Sequence, residues 1–204
     1  MIVILDYDMG NVGSIHNMLK KIGNDDVCIS RNPKVIVNAD KLILPGVGAY
    51  DMGMTKLNEY GLIDLIKLHV EQKKALLGIC LGMQLLGRRS EEGKLAGLGI
   101  VPFDCVRFSF SMDVGLRIPH MGWDRVTYAK DDPILRDLIG QQRYYFVHSY
   151  HSICDSKKDV LMFCDYGYPF AAAVRFGNIY GFQFHPEKSH HYGMALLKNF
   201  VRSC

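Results

Sequence analysis

The 204-residue sequence predicts an α/β fold with a mixed central sheet flanked by helices, parallel at its core and antiparallel where later strands are added. Three observations predict it. Short, continuous apolar runs alternate with helical runs through the first half, the pattern of parallel strands covered on both faces. From about Val101 onward, strand-like runs follow one another with only turns between them. Gly177-Asn178 lies between two such runs and is a two-residue hairpin signal, which makes its neighbours antiparallel.

Taken in order, Ile2–Leu5 is a β-rich run. Residues 12–22 place Ile15, Met18, Leu19 and Ile22 at helical spacing, with Gly23 as the residue that closes the helix. Val27–Ser30 and Lys41–Leu44 are short strands. Residues 52–70 are helical in two pieces broken near Gly61, and Ala75–Ile79 is a continuous apolar strand that leads into a helical run over 81–88. In the second half, 101–110, 143–147, Val160–Asp165, 171–176 and 179–184 read as strands, with Phe103, Phe108 and Phe110 as sheet packing. Residues 189–201 close the chain as a helix with an apolar stripe at Met194, Leu197 and Val201. No repeat, low-complexity tract or flexible linker interrupts this series, so one domain over 1–204 is expected.

Composition narrows the function. A hydrophobic fraction of 49% is enough to offset ordering entropy by burial, which excludes a disordered chain. The longest nearly apolar stretch runs only from Ala75 to Gly87 and includes Gln84, too short for the roughly 20 residues of a membrane span. No basic region precedes the first apolar run, so no signal peptide is expected there. Net charge is +3, and the basic pairs are interleaved with carboxylates, a poor footprint for nucleic acid. The cysteines at 28, 80, 105, 154, 164 and 204 show no CxxC spacing and read as reduced thiols of a cytoplasmic protein.

The densest motif is Gly78-Ile79-Cys80-Leu81-Gly82. It has the Gly-x-nucleophile-x-Gly form of a nucleophile elbow, here with cysteine between a strand and a helix. Small residues two before and two after let the backbones approach. The helix start favours thiolate, and the Leu81 N–H is aimed at a developing oxyanion. A buried structural cysteine in a glycine-containing turn is the plain alternative. Against it stands Phe184-His185-Pro186-Glu187, read as the end of a strand whose i and i+2 residues share a face. His185 then takes the thiol proton, and Glu187 fixes its tautomer. Leu44-Pro45-Gly46-Val47-Gly48, leaving another strand, lacks any phosphate-loop signature and can supply a second oxyanion donor.

At these blocks, and at Pro119-His120-Met121-Gly122-Trp123 and Tyr145-Phe146-Val147-His148-Ser149-Tyr150, the sequence resembles the class I, triad-type glutamine amidotransferases. Within them it is most similar to the glutaminase subunits of histidine biosynthesis. The resemblance spans essentially the whole chain and implies a flavodoxin-like sandwich. It implies that Cys80 attacks the glutamine side-chain amide, His185 serves as base and then acid, and Glu187 orients it. Gly46, Val47, Gly48 and Leu81 are implied as the oxyanion hole. Gln84, Glu92, His148, Ser149 and Tyr150 are implied as the glutamine pocket, and Asn11, Met121, Gly122, Trp123 and Lys188 as the surface facing a partner. That partner is a cyclase (β/α)8 barrel, which receives ammonia and forms imidazole glycerol phosphate and AICAR. No cofactor, metal, nucleic acid or membrane is implied.

The sequence also departs from the family pattern. Asp8 stands where glycine is usual, Gly13 where a basic residue is common, and Asp124 where asparagine is usual; His151 follows the His148-Ser149-Tyr150 block. Residues 89–93, 149–154 and 188–194 look similar to a paralogous branch that supplies ammonia to a sugar amidotransferase in surface-polysaccharide synthesis. Three other readings compete: a stand-alone cysteine hydrolase of γ-glutamyl compounds, a catalytically dead assembly subunit, and a zinc site at His148, His151 and Cys154. Gln84 and Glu92 tilt against the first, and the complete triad against the second. The third lacks a fourth ligand and tight spacing.

Overall fold

The computed structural model describes residues 1–111 and 115–203. Its first half is the expected alternation: β1 (Ile2–Leu5), α1 (Val12–Lys21), β2 (Val27–Ser30), α2 (Pro33–Val37), β3 (Lys41–Leu44), α3 (Tyr50–Glu59), α4 (Leu62–Glu71), β4 (Ala75–Ile79) and α5 (Leu81–Leu85). Then follow β5 (Phe103–Arg107), β6 (His120–Tyr128), β7 (Arg143–His148), β8 (Tyr150–Cys154), β9 (Val160–Asp165), β10 (Pro169–Phe176), β11 (Ile179–Phe182) and α6 (His190–Ser203). The eleven strands belong to a sheet whose main path runs β2-β1-β3-β4-β11-β10-β9-β6-β7, with β8 pairing β10 and β5 pairing β8. The pairs from β2 through β4 to β11 are parallel, and those from β11 onward are antiparallel.

The alternation of side chains along each strand divides the core in two. Ile2, Ile4, Ile43, Leu77 and Ile79 face one way, against Ile15 and Leu19 of α1 and Leu196, Leu197 and Phe200 of α6. Val3, Leu5, Leu42, Leu44 and Leu76 face the other, against Leu57 of α3, Leu62 and Ile66 of α4, and Leu81 and Leu85 of α5. Every residue of β1 and β4 is buried, as central parallel strands require. The break at Gly61 is real: its φ of +63° starts α4 on a new axis. Gly177-Asn178 closes the β10–β11 hairpin, with Phe176 opposite Ile179.

Three expectations change. The helix after Cys80 ends at Leu85 rather than running to 88, because the backbone N–H groups of Leu98, Ile100 and Val101 take the carbonyls of Leu85 and Leu86. The strand expected over 101–110 shortens to Phe103–Arg107, and Phe108 turns away by bonding Ser149. Two strands are additional, β6 and β8, whose exposed or polar residues hide the period. Among the described residues no helix is long and apolar enough to cross a membrane. Cys28, Cys80, Cys105, Cys154 and Cys164 are free thiols, and Cys204 lies outside the described residues.

Two glycines test this packing. A Cβ on Gly82 would lie 1.9 Å from the Leu44 carbonyl oxygen, whereas one on Gly13 of α1 would meet nothing within 4 Å. Gly82→Ala is expected to cost about 3 kcal/mol or more, or to prevent folding. Gly13→Ala is expected to be neutral or to stabilise by up to about 1 kcal/mol. Urea unfolding of the two variants checks both.

Candidate active site

The end of β4 is where the backbone is most constrained. Cys80 has φ +53° and ψ −112°, outside the regions that L-residues favour, at an expected cost of about 1–3 kcal/mol. Its N–H bonds the Phe182 carbonyl at 2.7 Å, and its own carbonyl accepts from Gln84 at 3.2 Å to begin α5. The turn is walled by backbone. A Cβ on Gly78 would lie 2.7 Å from the Gly82 oxygen, and one on Gly46 would lie 2.6 Å from the Gly82 nitrogen. The glycines of the motif are therefore required by contact as well as by pattern.

The parallel register places Phe182 of β11 opposite Ile79 of β4, so the segments leaving both strands emerge side by side. His185 is reached by that route. Its N–H bonds the Tyr145 carbonyl at 2.9 Å, its carbonyl accepts from the Ser189 hydroxyl at 2.6 Å, and the same hydroxyl accepts from the Tyr145 N–H at 3.0 Å. The His185 Nδ1–H donates to Glu187 Oε1 at 2.8 Å, and both side chains are 1% exposed. The pairing is not made on an extended segment, as the sequence suggested. Strand β11 ends at Phe182, and Pro186–Lys188 is a single 3-10 turn that Pro186 initiates and that turns Glu187 back to the Nδ1 edge of the ring.

Burial alone would lower the pKa of His185 from its ordinary 6.5. Interaction with the Cys80 sulfur and the Glu187 carboxylate outweighs burial and pushes it up to about 10. The other ring nitrogen, Nε2, is buried without a regular hydrogen bond, leaving it for the thiol or a reacting group. Since the folded pKa is raised, the interaction stabilises the fold fully below about pH 6.5, and that contribution is lost as pH climbs to about 10.

Cys80 and His185 open into a cleft of about 590 Å³. One wall is Val47 and Gly48 of the loop after β3 with Leu81 of α5, next to the sulfur. Gln84, Glu92 and Lys188 also line the cleft, as do His148 at the end of β7, Ser149, and Tyr150 at the start of β8. Glu92 accepts from the Tyr50 N–H at the start of α3 (3.2 Å). Both amide hydrogens of Gln84 are already used, on the Tyr150 carbonyl (3.1 Å) and on Gln183 Oε1 (3.0 Å), so Gln84 meets a ligand as an acceptor. His148 Nδ1–H donates to the Tyr150 carbonyl at 2.7 Å, and burial pushes its pKa down to about 3, so it is neutral.

The remaining sequence-predicted residues lie elsewhere. Gly46 does not line the cleft but sits behind it against Gly82, Leu81 and Tyr7. Asn11 precedes α1, and on β6 Met121 and Trp123 are exposed at 61% and 41%, with Gly122 between them at φ +140°. Trp123 stacks on His190 at 5.4 Å. His148, His151 and Cys154 are not brought together as ligands; among the described residues that role falls to a different trio, His120, Asp124 and Cys164. Sequence reasoning gave no role to Gln183, which is fully buried between Gln84 and the Cys80 sulfur, or to Ser189. A lone amide between Phe182 and Phe184 was the available signal for the first.

The chain resembles known proteins along its whole length. The glutamine amidotransferase class-I family model matches residues 3–204. A Methanococcus maripaludis protein named imidazole glycerol phosphate synthase subunit HisH 2 is 53% identical over 203 residues, covering 99% of each chain. A Pseudomonas aeruginosa protein of the same name is 48% identical over 202 residues, covering 98% of each. A crystal structure of a glutamine amidotransferase superposes with a TM-score of 0.72 at 21% identity, over 96% of this chain and 98% of that one, a likeness of fold.

The balance of terms at His185 is measurable. Its ring nitrogens, followed by 15N NMR, are expected to titrate near pH 10, and below about 6.5 in a Cys80→Ala, Glu187→Gln double variant, where burial acts unopposed. A midpoint that stays above 8 in the double variant refutes this account.

Proposed function

The chain belongs to the class-I glutamine amidotransferases, and from that premise we propose that it is the glutaminase subunit of an imidazole glycerol phosphate synthase. In this reading it hydrolyses glutamine and hands the ammonia to a cyclase partner. The observation that carries the chemistry is the strained Cys80 beside the buried His185–Glu187 pair.

Cys80 passes its thiol proton to His185 Nε2, and its Sγ adds to the side-chain carbonyl carbon of glutamine. The charge that develops on oxygen is met by the Leu81 N–H and by the backbone N–H groups of Val47 and Gly48, the residues of the loop after β3 that face the cleft. Imidazolium His185 gives its Nε2 proton to the amide nitrogen, the C–N bond breaks, and ammonia leaves a γ-glutamyl thioester. Water, deprotonated by the now neutral His185, cleaves the thioester to glutamate and restores the thiol–imidazole pair. Glu187 accepts Nδ1–H throughout, which keeps Nε2 turned to the sulfur. The acceptor oxygen of Gln84 and the Glu92 carboxylate suit the α-ammonium end of glutamine, and Ser149 and the Tyr150 segment close over it.

Ammonia freed into neutral water is mostly protonated and a poor nucleophile, so a sealed route to the acceptor is chemically sensible. The exposed Met121 and Trp123, with Gly122 between them and Asn11 and Lys188 as polar neighbours in role, are the residues proposed to dock a (β/α)8 barrel. A second reading keeps the chemistry and changes the barrel to one that serves a sugar amidotransferase. The likeness of residues 89–93, 149–154 and 188–194 to that branch favours it, and departures from the family pattern fall in the partner-facing region. Asp8 takes φ +63° where glycine is usual, held by Arg31 (2.6 Å) and Tyr60, and Asp124 replaces the usual asparagine on β6.

Glutamate release from glutamine is expected to be slow for this chain alone and to rise at least tenfold with a histidine-pathway cyclase barrel and its nucleotide ligand. Cys80→Ala is expected to lower the stimulated rate by about 10³-fold or more. Stimulation only by a polysaccharide-cluster barrel moves the pathway and leaves the chemistry standing. Full activity without any barrel overturns the subunit reading.

A further inference from the structure

His120, Asp124 and Cys164 bring an imidazole, a carboxylate and a thiol together beside the wall of the cleft. His148 donates its Nδ1–H to the Tyr150 carbonyl, so its Nε2 carries a lone pair. That lone pair lies 3.1 Å from His120 Nδ1, which must therefore hold a hydrogen and donate it. A neutral His120 then has a lone pair on Nε2, and Nε2 lies 3.4 Å from Asp124 Oδ2. In that tautomer both atoms present lone pairs to the space between them, as two ligands of one ion do. The other Asp124 oxygen is occupied by the Arg125 N–H at 2.8 Å. The Cys164 thiol joins them, and all three ligand atoms lie within 4.8 Å of one another.

We propose that His120 Nε2, Asp124 Oδ2 and Cys164 Sγ form a binding site for one divalent cation of borderline softness, of which Zn²⁺ is the type. Imidazole, carboxylate and thiolate suit such an ion. Bond lengths of about 2.0–2.3 Å put tetrahedral donors roughly 3.3–3.8 Å apart, so the His–Asp spacing already fits and small side-chain rotations close the rest. The strand pattern builds the trio. His120 and Asp124 share a face of β6, and Cys164 of β9 lies opposite Val126 on that face.

The surroundings are those of a metal ligand. A ligating histidine characteristically donates its other N–H to a fixed acceptor, and His148 is that acceptor. The His120 ring is held between Tyr166 at 4.0 Å and Phe146 at 4.7 Å, both stacked, which fixes the direction of Nε2. Asp124 is 36% exposed while His120 is 3% exposed, so an ion has an entry from solvent on the carboxylate side, and water completes the coordination. On entry the ion displaces the Cys164 thiol proton to solvent and binds the thiolate, and it holds the chain His120–His148–Tyr150 in one tautomer at the wall of the cleft.

The test is a titration of chelator-stripped protein with Zn²⁺ and with Co²⁺ in a Cys80→Ala background, which removes the Cys80–His185 pair as a competing site. Expected are one equivalent bound, a cobalt–thiolate absorption band, and affinity weakened at least tenfold in Asp124→Asn and in Cys164→Ala. Absence of stoichiometric binding overturns the proposal. So does binding that both substitutions leave unchanged, which places the ion on other side chains such as His190 and His191. If Cys164→Ala fails to fold, Asp124→Asn at its half-exposed position decides the matter.

Discussion

Everything at the cleft depends on three stretches of backbone in van der Waals contact without side chains between them. Gly46, Gly78 and Gly82 bring the loop after β3 and the turn after β4 so close that Cys80 is left no ordinary conformation to relax into. The strain at φ +53° is held in place by the Cys80 N–H bond to Phe182 and by the start of α5. The sulfur thus stands at the C-terminal end of β4, between β3 and β11, beside the loop that faces the same cleft. An ordinary αR or β residue there would turn the side chain into the core.

A polar layer lies behind the strained turn, and it is fully connected. Gln84 bridges the Tyr150 carbonyl and Gln183, Gln183 reaches the Cys80 sulfur at 3.9 Å, and His148 holds Tyr150 from the other side. Buried amides and imidazoles of this kind are costly unless each partner is satisfied, and when satisfied they allow one arrangement. They also explain why the wall of the cleft is built from β7 and β8, elements far in sequence from the nucleophile. His120 extends the layer to β6, the strand that carries Met121 and Trp123 on its opposite face. Period-two geometry therefore sets an exposed surface and a buried imidazole on alternate positions of one rigid strand.

The parallel half of the fold was legible because its strands are apolar throughout, and the break at Gly61 and the hairpin at Gly177-Asn178 were legible because turn chemistry is local. Strands β6 and β8 were not. β6 is buried on one side only, and in β8 the buried residues are the polar His151 and Ser152, so His120, Asp124, His151 and Ser152 do not look like strand residues without their partners. Cys80, His185 and Glu187 could be singled out from spacing, yet the reason given for the histidine–glutamate contact was wrong. A 3-10 turn set by Pro186 makes it, and a tight turn and a strand end can present the same residue pair. Gln183 and Ser189 were invisible as participants because their partners are backbone groups and amides brought in by tertiary packing.

The register that puts Phe182 beside Ile79 has a consequence for the order in which the molecule is made. Strands β1 to β4 can assemble as a parallel unit while the rest of the chain is still being synthesised. In such an intermediate the Cys80 N–H has no Phe182 carbonyl to bond and the thiol has no imidazole, because both arrive with the last strand and the turn beyond it. The nucleophile is laid down early and armed late. A partly synthesised or partly unfolded chain carries an ordinary buried thiol, so neither wasteful glutamine hydrolysis nor a hyper-reactive cysteine accompanies biosynthesis, and the topology alone supplies that protection.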